Sequence, residues 1–268
     1  MAICYGRVID IVNRASSLMI LATGMTLVIA SKGIDIFVGS VLAISGAIVA
    51  QLLGRTDEAQ IPLFLCILLA LGVTTVLGCW NGFLVAKIGV SPVVATLILM
   101  VAGRGIAQCI TGGQIPTVLY KPFCYIASFV PGIPLPFSIF IVAFVLTLAL
   151  LFVKRTSFGM FVEAIGINPE ASRLSGIKVK KIIFMTYAFS GFCAGVAGLI
   201  QVSMIKAADA NNAGLLFEMD AILAVAIGGT QLSGGKFHNG QHSWCIGHTD
   251  PYYHHVCSWC FTPGASGC

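Results

Sequence analysis

Long uninterrupted apolar runs, without polar alternation, dominate this chain. Ala15–Ser31, Ile36–Gly54, Ala59–Ala86, Pro122–Val153 and Ile182–Ile205 contain no Asp, Glu, Lys or Arg. An α-helix needs about 20 predominantly apolar residues to cross a bilayer, whereas the strands of a membrane barrel alternate polar and apolar positions. The pattern predicts an all-α polytopic transmembrane bundle. Its apolar helices fall near 15–31, 38–53, 61–79, 93–111, 135–153, 182–204 and 219–233. The segment Val130–Pro136 carries three prolines and reads as a connecting loop.

Composition sharpens this picture. Of 268 residues, 57% are hydrophobic and 9% charged, against roughly 25% charged in soluble domains. The net charge of +5 does not point to nucleic acid, because the bases are clustered and lack interleaved aromatics. Lys154, Arg155, Arg173, Lys178, Lys180 and Lys181 lie between two apolar runs. The positive-inside rule makes that interval a cytoplasmic loop. Alternation then sends 54–60, 112–134 and 205–218 to the outside, and 32–37, 80–92 and 234–236 to the inside. No signal peptide is legible in residues 1–14. The expected location is a membrane, crossed many times.

The chain changes character after Phe237. All five histidines, two of three tryptophans and four of ten cysteines lie in the last 31 residues. Two readings compete for this tail. His254, His255, Cys257 and Cys260 have zinc-ligand chemistry. Alternatively, the tail is out of frame. His, Asn, Asp and Tyr codons read one base later encode only Ile, Thr or Met, and the shifted text is compatible with a further apolar helix. The frameshift is favoured, so no metal site is assigned. The domain reading is an incomplete transmembrane domain over 1–237 and an aberrant tail over 238–268.

Four stretches carry a resemblance. They are Gly24–Gly46 (GMTLVIASKGIDIFVGSVLAISG), Asn81–Gly113 (NGFLVAKIGVSPVVATLILMVAGRGIAQCITGG), Glu163–Ile177 (EAIGINPEASRLSGI) and Asn212–Gly235 (NAGLLFEMDAILAVAIGGTQLSGG). In this order and spacing they resemble the permease family of sugar ABC importers, which serves ribose, xylose, arabinose, galactose and galactofuranose. The wording of the second and third is closest to the galactofuranose-type permeases. The resemblance implies about ten helices in the complete fold, of which those here match the second to the eighth. A chain truncated in this way is expected to be inactive alone.

The resemblance implies partners too. They are a cytoplasmic ATPase subunit, a second permease subunit (identical or different), a periplasmic sugar-binding protein and the sugar itself. No Gly-x-x-x-x-Gly-Lys-Ser/Thr phosphate loop is present. ATP is therefore expected on the partner, and the chain is read as a transporter with no cofactor of its own, not an enzyme. The resemblance makes 163–177 the loop that docks on the ATPase, with Glu163, Gly166, Asn168, Glu170, Ala171, Arg173, Ser175 and Gly176 as its candidate residues. The residue types agree with a short helix there. Asn168 suits an N-cap, Pro169 the first position, Glu170 the first turn and Gly176 the C-terminal cap.

Polar residues inside the apolar zone are costly and tend to be functional. Asp35, Asn81, Arg104, Glu218 and Asp220 are the candidates for lining a translocation path. Bland readings stand beside them: a Lys32–Asp35 pair for Asp35, snorkelling for Arg104, and helix N-terminal acids for Glu218 and Asp220. The chain departs from the family pattern at two places. Lys32 precedes Gly33 where the family shows a Gly-Gly pair, and Phe37 stands at a customary Ser. Both are expected to disturb this site. An ion-coupled secondary transporter, with Asp35 as the ion-binding carboxylate, and an intramembrane zinc protein are the rival functions.

Overall fold

The computed structural model describes residues 2–54, 62–128, 136–232 and 234–235, and it describes side chains from residue 9 onward. Among the described residues ten α-helices follow in order: α1 (Ala2–Ala30), α2 (Val38–Leu53), α3 (Leu63–Phe83), α4 (Pro92–Thr111), α5 (Lys121–Cys124), α6 (Phe137–Arg155), α7 (Ser157–Ile167), α8 (Pro169–Leu174), α9 (Val179–Ile205) and α10 (Phe217–Ile227). A π-helical turn, Leu84–Ile88, continues α3. Among the described residues there is no strand, only an isolated antiparallel bridge between Thr117 and Ala207. The fold is an all-α polytopic membrane bundle.

Each of the seven apolar runs forms a helix, and five are long and apolar enough to span a membrane: Ile9–Ala30, Leu63–Ile88, Pro92–Thr111, Phe137–Arg155 and Val179–Ile205. The other two are shorter, at 16 residues for α2 and 11 for α10. Helix α2 is almost wholly buried by its neighbours, so protein and not lipid surrounds it. The seventh apolar run was expected to reach residue 233, but α10 stops at Ile227. Gly228 and Gly229 close it, the latter at φ +92°, and apolarity alone did not reveal the break.

Burial separates a centre from a shell. In α1 and α9, 78% and 67% of the apolar window is buried, against 22% in each of α3, α4 and α6. Helix α9 is the axis, packed on α1, α2 and α3. Small residues permit this. A Cβ on Gly78 of α3 would lie 2.9 Å from Gly191 Cα of α9, so the two backbones meet directly. On another face of α9, Ser45 Oγ of α2 donates to the Gly195 carbonyl at 2.9 Å. Van der Waals contact and such bonds hold helices together where lipid supplies no hydrophobic drive.

Candidate functional site

Two interruptions of the apolar helices meet the polar candidates. The first is the break at residues 31–37, between α1 and α2. Asp35 sits in it and is buried. Its carboxylate accepts from Ser190 Oγ of α9 at 2.8 Å, from Asn81 Nδ2 of α3 at 3.1 Å and from the Phe37 N–H at 3.2 Å. One side chain thus ties two helices, α3 and α9, to the break. Tyr187 is also fully buried, with its hydroxyl 3.5 Å from the Ile34 carbonyl. Gly33 leaves room for that hydroxyl, since a Cβ there would fall 2.6 Å from it. Asn81 Oδ1 has no hydrogen-bond partner among the described residues. The π turn beginning three residues later is an irregularity that clusters at functional sites.

The second break, residues 206–216, joins α9 to α10. Arg104 of α4 reaches into it and donates through Nη1 to the carbonyls of Ala213 at 2.6 Å, Asn211 at 3.3 Å and Ala210 at 3.4 Å. Gln108 Nε2 adds a bond to Asn211 Oδ1 at 2.6 Å. Asp209 closes the turn, accepting from the backbone N–H groups of Asn211 and Asn212 and from Asn212 Nδ2. The Asn212 amide and these N–H groups hold its carboxyl below the ordinary range, against a smaller opposing effect of desolvation.

The second break touches the helix that follows the first. A Cβ on Gly39, in the first turn of α2, would lie 2.4 Å from Glu218 Oε2 and 2.5 Å from the Gly214 carbonyl. The N-termini of α2 and α10 therefore meet inside the bundle, with the buried Glu218 between them. Its Oε2 has no hydrogen-bond partner among the described residues. Asp220 follows two residues on and is half-buried. The three non-glycine residues at positive φ among the described residues, Lys32, Lys206 and Leu216, all belong to these breaks. Strain of this kind concentrates at functional positions.

The expected disturbances resolve differently. Lys32 carries a left-handed φ of +69°, where glycine is unstrained. No ion pair joins Lys32 to Asp35 among the described residues. Phe37 is accommodated: it is buried between α2 and α4, and Gly103 provides the room, since a Cβ there would meet the Phe37 ring at 2.6 Å.

The basic interval holds two helices. Thr156 caps α7, accepting from the Phe158 N–H at 3.3 Å. Glu163 and Gly166 belong to α7 and face inward, Glu163 partly and Gly166 fully. Asn168 caps α8, accepting from the N–H groups of Glu170 and Ala171 at 3.1 Å each. Gly176, at φ +84°, ends it, and its N–H bonds the Arg173 carbonyl at 3.1 Å. Glu170, Ala171, Arg173 and Ser175 are exposed, while Ser172 is buried with its hydroxyl on the Asn168 carbonyl. The sequence reading missed Leu174, which is 88% exposed at the end of α8, and the 65% exposed Ile167. Two isolated large apolar residues on a polar loop were the available signal. The His/Cys tail, 238–268, lies outside the described residues.

Five membrane-length helices around two polar helix breaks define a multi-pass membrane protein. Residues 7–238 match the family described as "Branched-chain amino acid transport system / permease component". The galactofuranose transporter permease protein YtfT of Escherichia coli is 48% identical over 235 residues, covering 87% of this chain and 67% of that protein. The fructose import permease protein FruF of Bifidobacterium longum is 44% identical over 237 residues, or 87% and 65%. The ribose import permease protein RbsC of Haemophilus influenzae is 41% identical over 234 residues, or 85% and 70%. The chain belongs to this permease family. It spans about two thirds of the length of these curated relatives. No solved structure matches it significantly.

Proposed function

We propose that this chain is the membrane permease of an ATP-driven importer that carries a monosaccharide into the cytoplasm across a bacterial inner membrane. The sugar class rests on three relatives of 41–48% identity, each named for a sugar. The family description names branched-chain amino acids, but these relatives are nearer guides to cargo than a family-wide label. The observation that carries the mechanism is α8, a six-residue helix capped at Asn168, with Leu174 presented to solvent at 88% exposure. An exposed apolar tip flanked by Glu170 and Arg173 is a docking element for a protein groove.

In this reading the groove belongs to a cytoplasmic ATPase, which supplies all ATP chemistry. The permease pairs with a second permease subunit, identical or not, and receives sugar from a periplasmic binding protein. Closure of the ATPases moves α7 and α8, and the bundle alternates its access. Asp35, Asn81, Glu218 and Asp220 are the groups of the translocation path, with Arg104 holding the loop that borders it. Residues 1–237 form the permease domain and 238–268 have no role in transport. Replacing Leu174 by Glu tests the docking: co-purification of the cognate ATPase should fall about tenfold, with thermal stability of the chain unchanged. Undiminished co-purification refutes it.

A further inference from the structure

The docking segment and the end of α1, where the first helix break begins, meet in direct backbone contact. Gly166, on the last turn of α7, packs so closely on α1 that a Cβ there would lie 2.0 Å from the Ala30 carbonyl and 2.5 Å from the Gly235 N–H nitrogen. Gly235 in turn donates to the Ala30 carbonyl at 3.1 Å. Gly234 backs onto the same place, where a Cβ would meet the Gly166 carbonyl at 3.0 Å and Lys32 Cβ at 3.1 Å. Ala30 is the last residue of α1, fully buried, and the next residues form the break that Asp35 ties to α3 and α9. Among the described residues no side chain lies between the Gly166 and Ala30 backbones, so no rotamer change at that contact can absorb a displacement. Close-packed backbone of this kind transmits strain.

We infer that Gly166 is the positioning residue that passes movement of α7–α8 to the 31–37 break, and through Asp35 to α3 and α9. The assignment rests on the docking reading for its driving partner, but the junction itself is a property of this chain. It requires that loosening the junction disturbs 31–37 selectively. Spatial continuity alone does not establish coupling, so the test must read the distant element.

Amide hydrogen exchange of the full chain in detergent reads it. In Gly166→Ala, exchange across residues 31–37 should accelerate about tenfold while 206–216 is unchanged. Equal acceleration of both segments marks general loosening and overturns the inference, as does an unaltered 31–37. Should that variant fail to fold, Ile167→Ala trims an exposed side chain beside Gly235 and should accelerate 31–37 about threefold. No change there also overturns it. In the unmodified chain bound to its ATPase, adding a non-hydrolysable ATP analogue should shift exchange at 31–37, and an unshifted segment refutes the coupling. Failure of the ATPase to co-purify refutes the docking reading and leaves the two variant measurements to decide the junction.

Discussion

The two breaks solve one problem in opposite ways. Interrupting a helix within an apolar bundle strands backbone groups that lipid cannot satisfy. At 31–37 the solution is a buried acceptor: Asp35 draws donors from α3, α9 and its own loop into a site closed to solvent. At 206–216 it is a donor from outside: the half-exposed Arg104 reaches in to satisfy carbonyls of a larger, more open loop. A buried acceptor with several donors is intolerant of loss, because every donor is then left unpaired. A guanidinium at a partly wet site is replaceable by water. The first break is built to stay closed unless several helices move together, and the second to be rearranged locally.

Removing the acceptor gives the largest expected effect. Asp35→Ala should destabilise the chain by about 3 kcal/mol, since the Asn81 amide, the Ser190 hydroxyl and the Phe37 N–H all lose their partner. A denaturation midpoint in detergent measures it, and Asp35→Asn, which keeps an acceptor, should lose less. A midpoint unmoved by the alanine would mean the first break is not held this way. Arg104→Ala should cost less, about 1–2 kcal/mol, and should be local. Amide exchange should quicken in 206–216 and not in 31–37. Parallel changes in both would show that the two breaks open as one. The smallest effect has the opposite sign: Lys32→Gly relieves a left-handed backbone and should stabilise by about 1 kcal/mol. No gain in the midpoint would place the strain elsewhere.

How much of this was legible in the sequence follows from the range of each interaction. The apolar runs gave the places of the helices, α2 at 38–53 and α4 within one residue, because burial in lipid depends on local composition, but not every end: α1 begins at Ala2 rather than near residue 15, and α10 stops at Ile227 rather than 233. The α8 helix was readable from Asn168, Pro169 and Gly176, which act within one turn. Helix α7 was not read, since the charges around it suggested one continuous loop while its capping signal at Thr156 is short. Asp35 and Asn81 were singled out individually, yet nothing local pairs them, and their partner Ser190 lies 155 residues from Asp35. The Gly166 contact was invisible for the same reason: a missing side chain announces room, not its neighbour. Phe37 looked like a defect because Gly103, which makes space for it, is far along the chain.

The central place of α9 carries a consequence for biogenesis. Helices α1, α2 and α3 are synthesised first, and residues 84–178 separate the end of α3 from the start of α9. At about 5–20 residues per second, the ribosome takes roughly 5–20 s to cover that stretch. Throughout this interval the earliest helices wait in the membrane around an unfilled slot, with Asp35 lacking Ser190 and Ser45 lacking the Gly195 carbonyl. The nascent chain is therefore most vulnerable to lipid invasion, wrong helix pairing and quality-control proteolysis midway through synthesis, before α9 emerges. An insertase that shelters polar groups in the bilayer until α9 arrives would govern how much of this permease a cell accumulates.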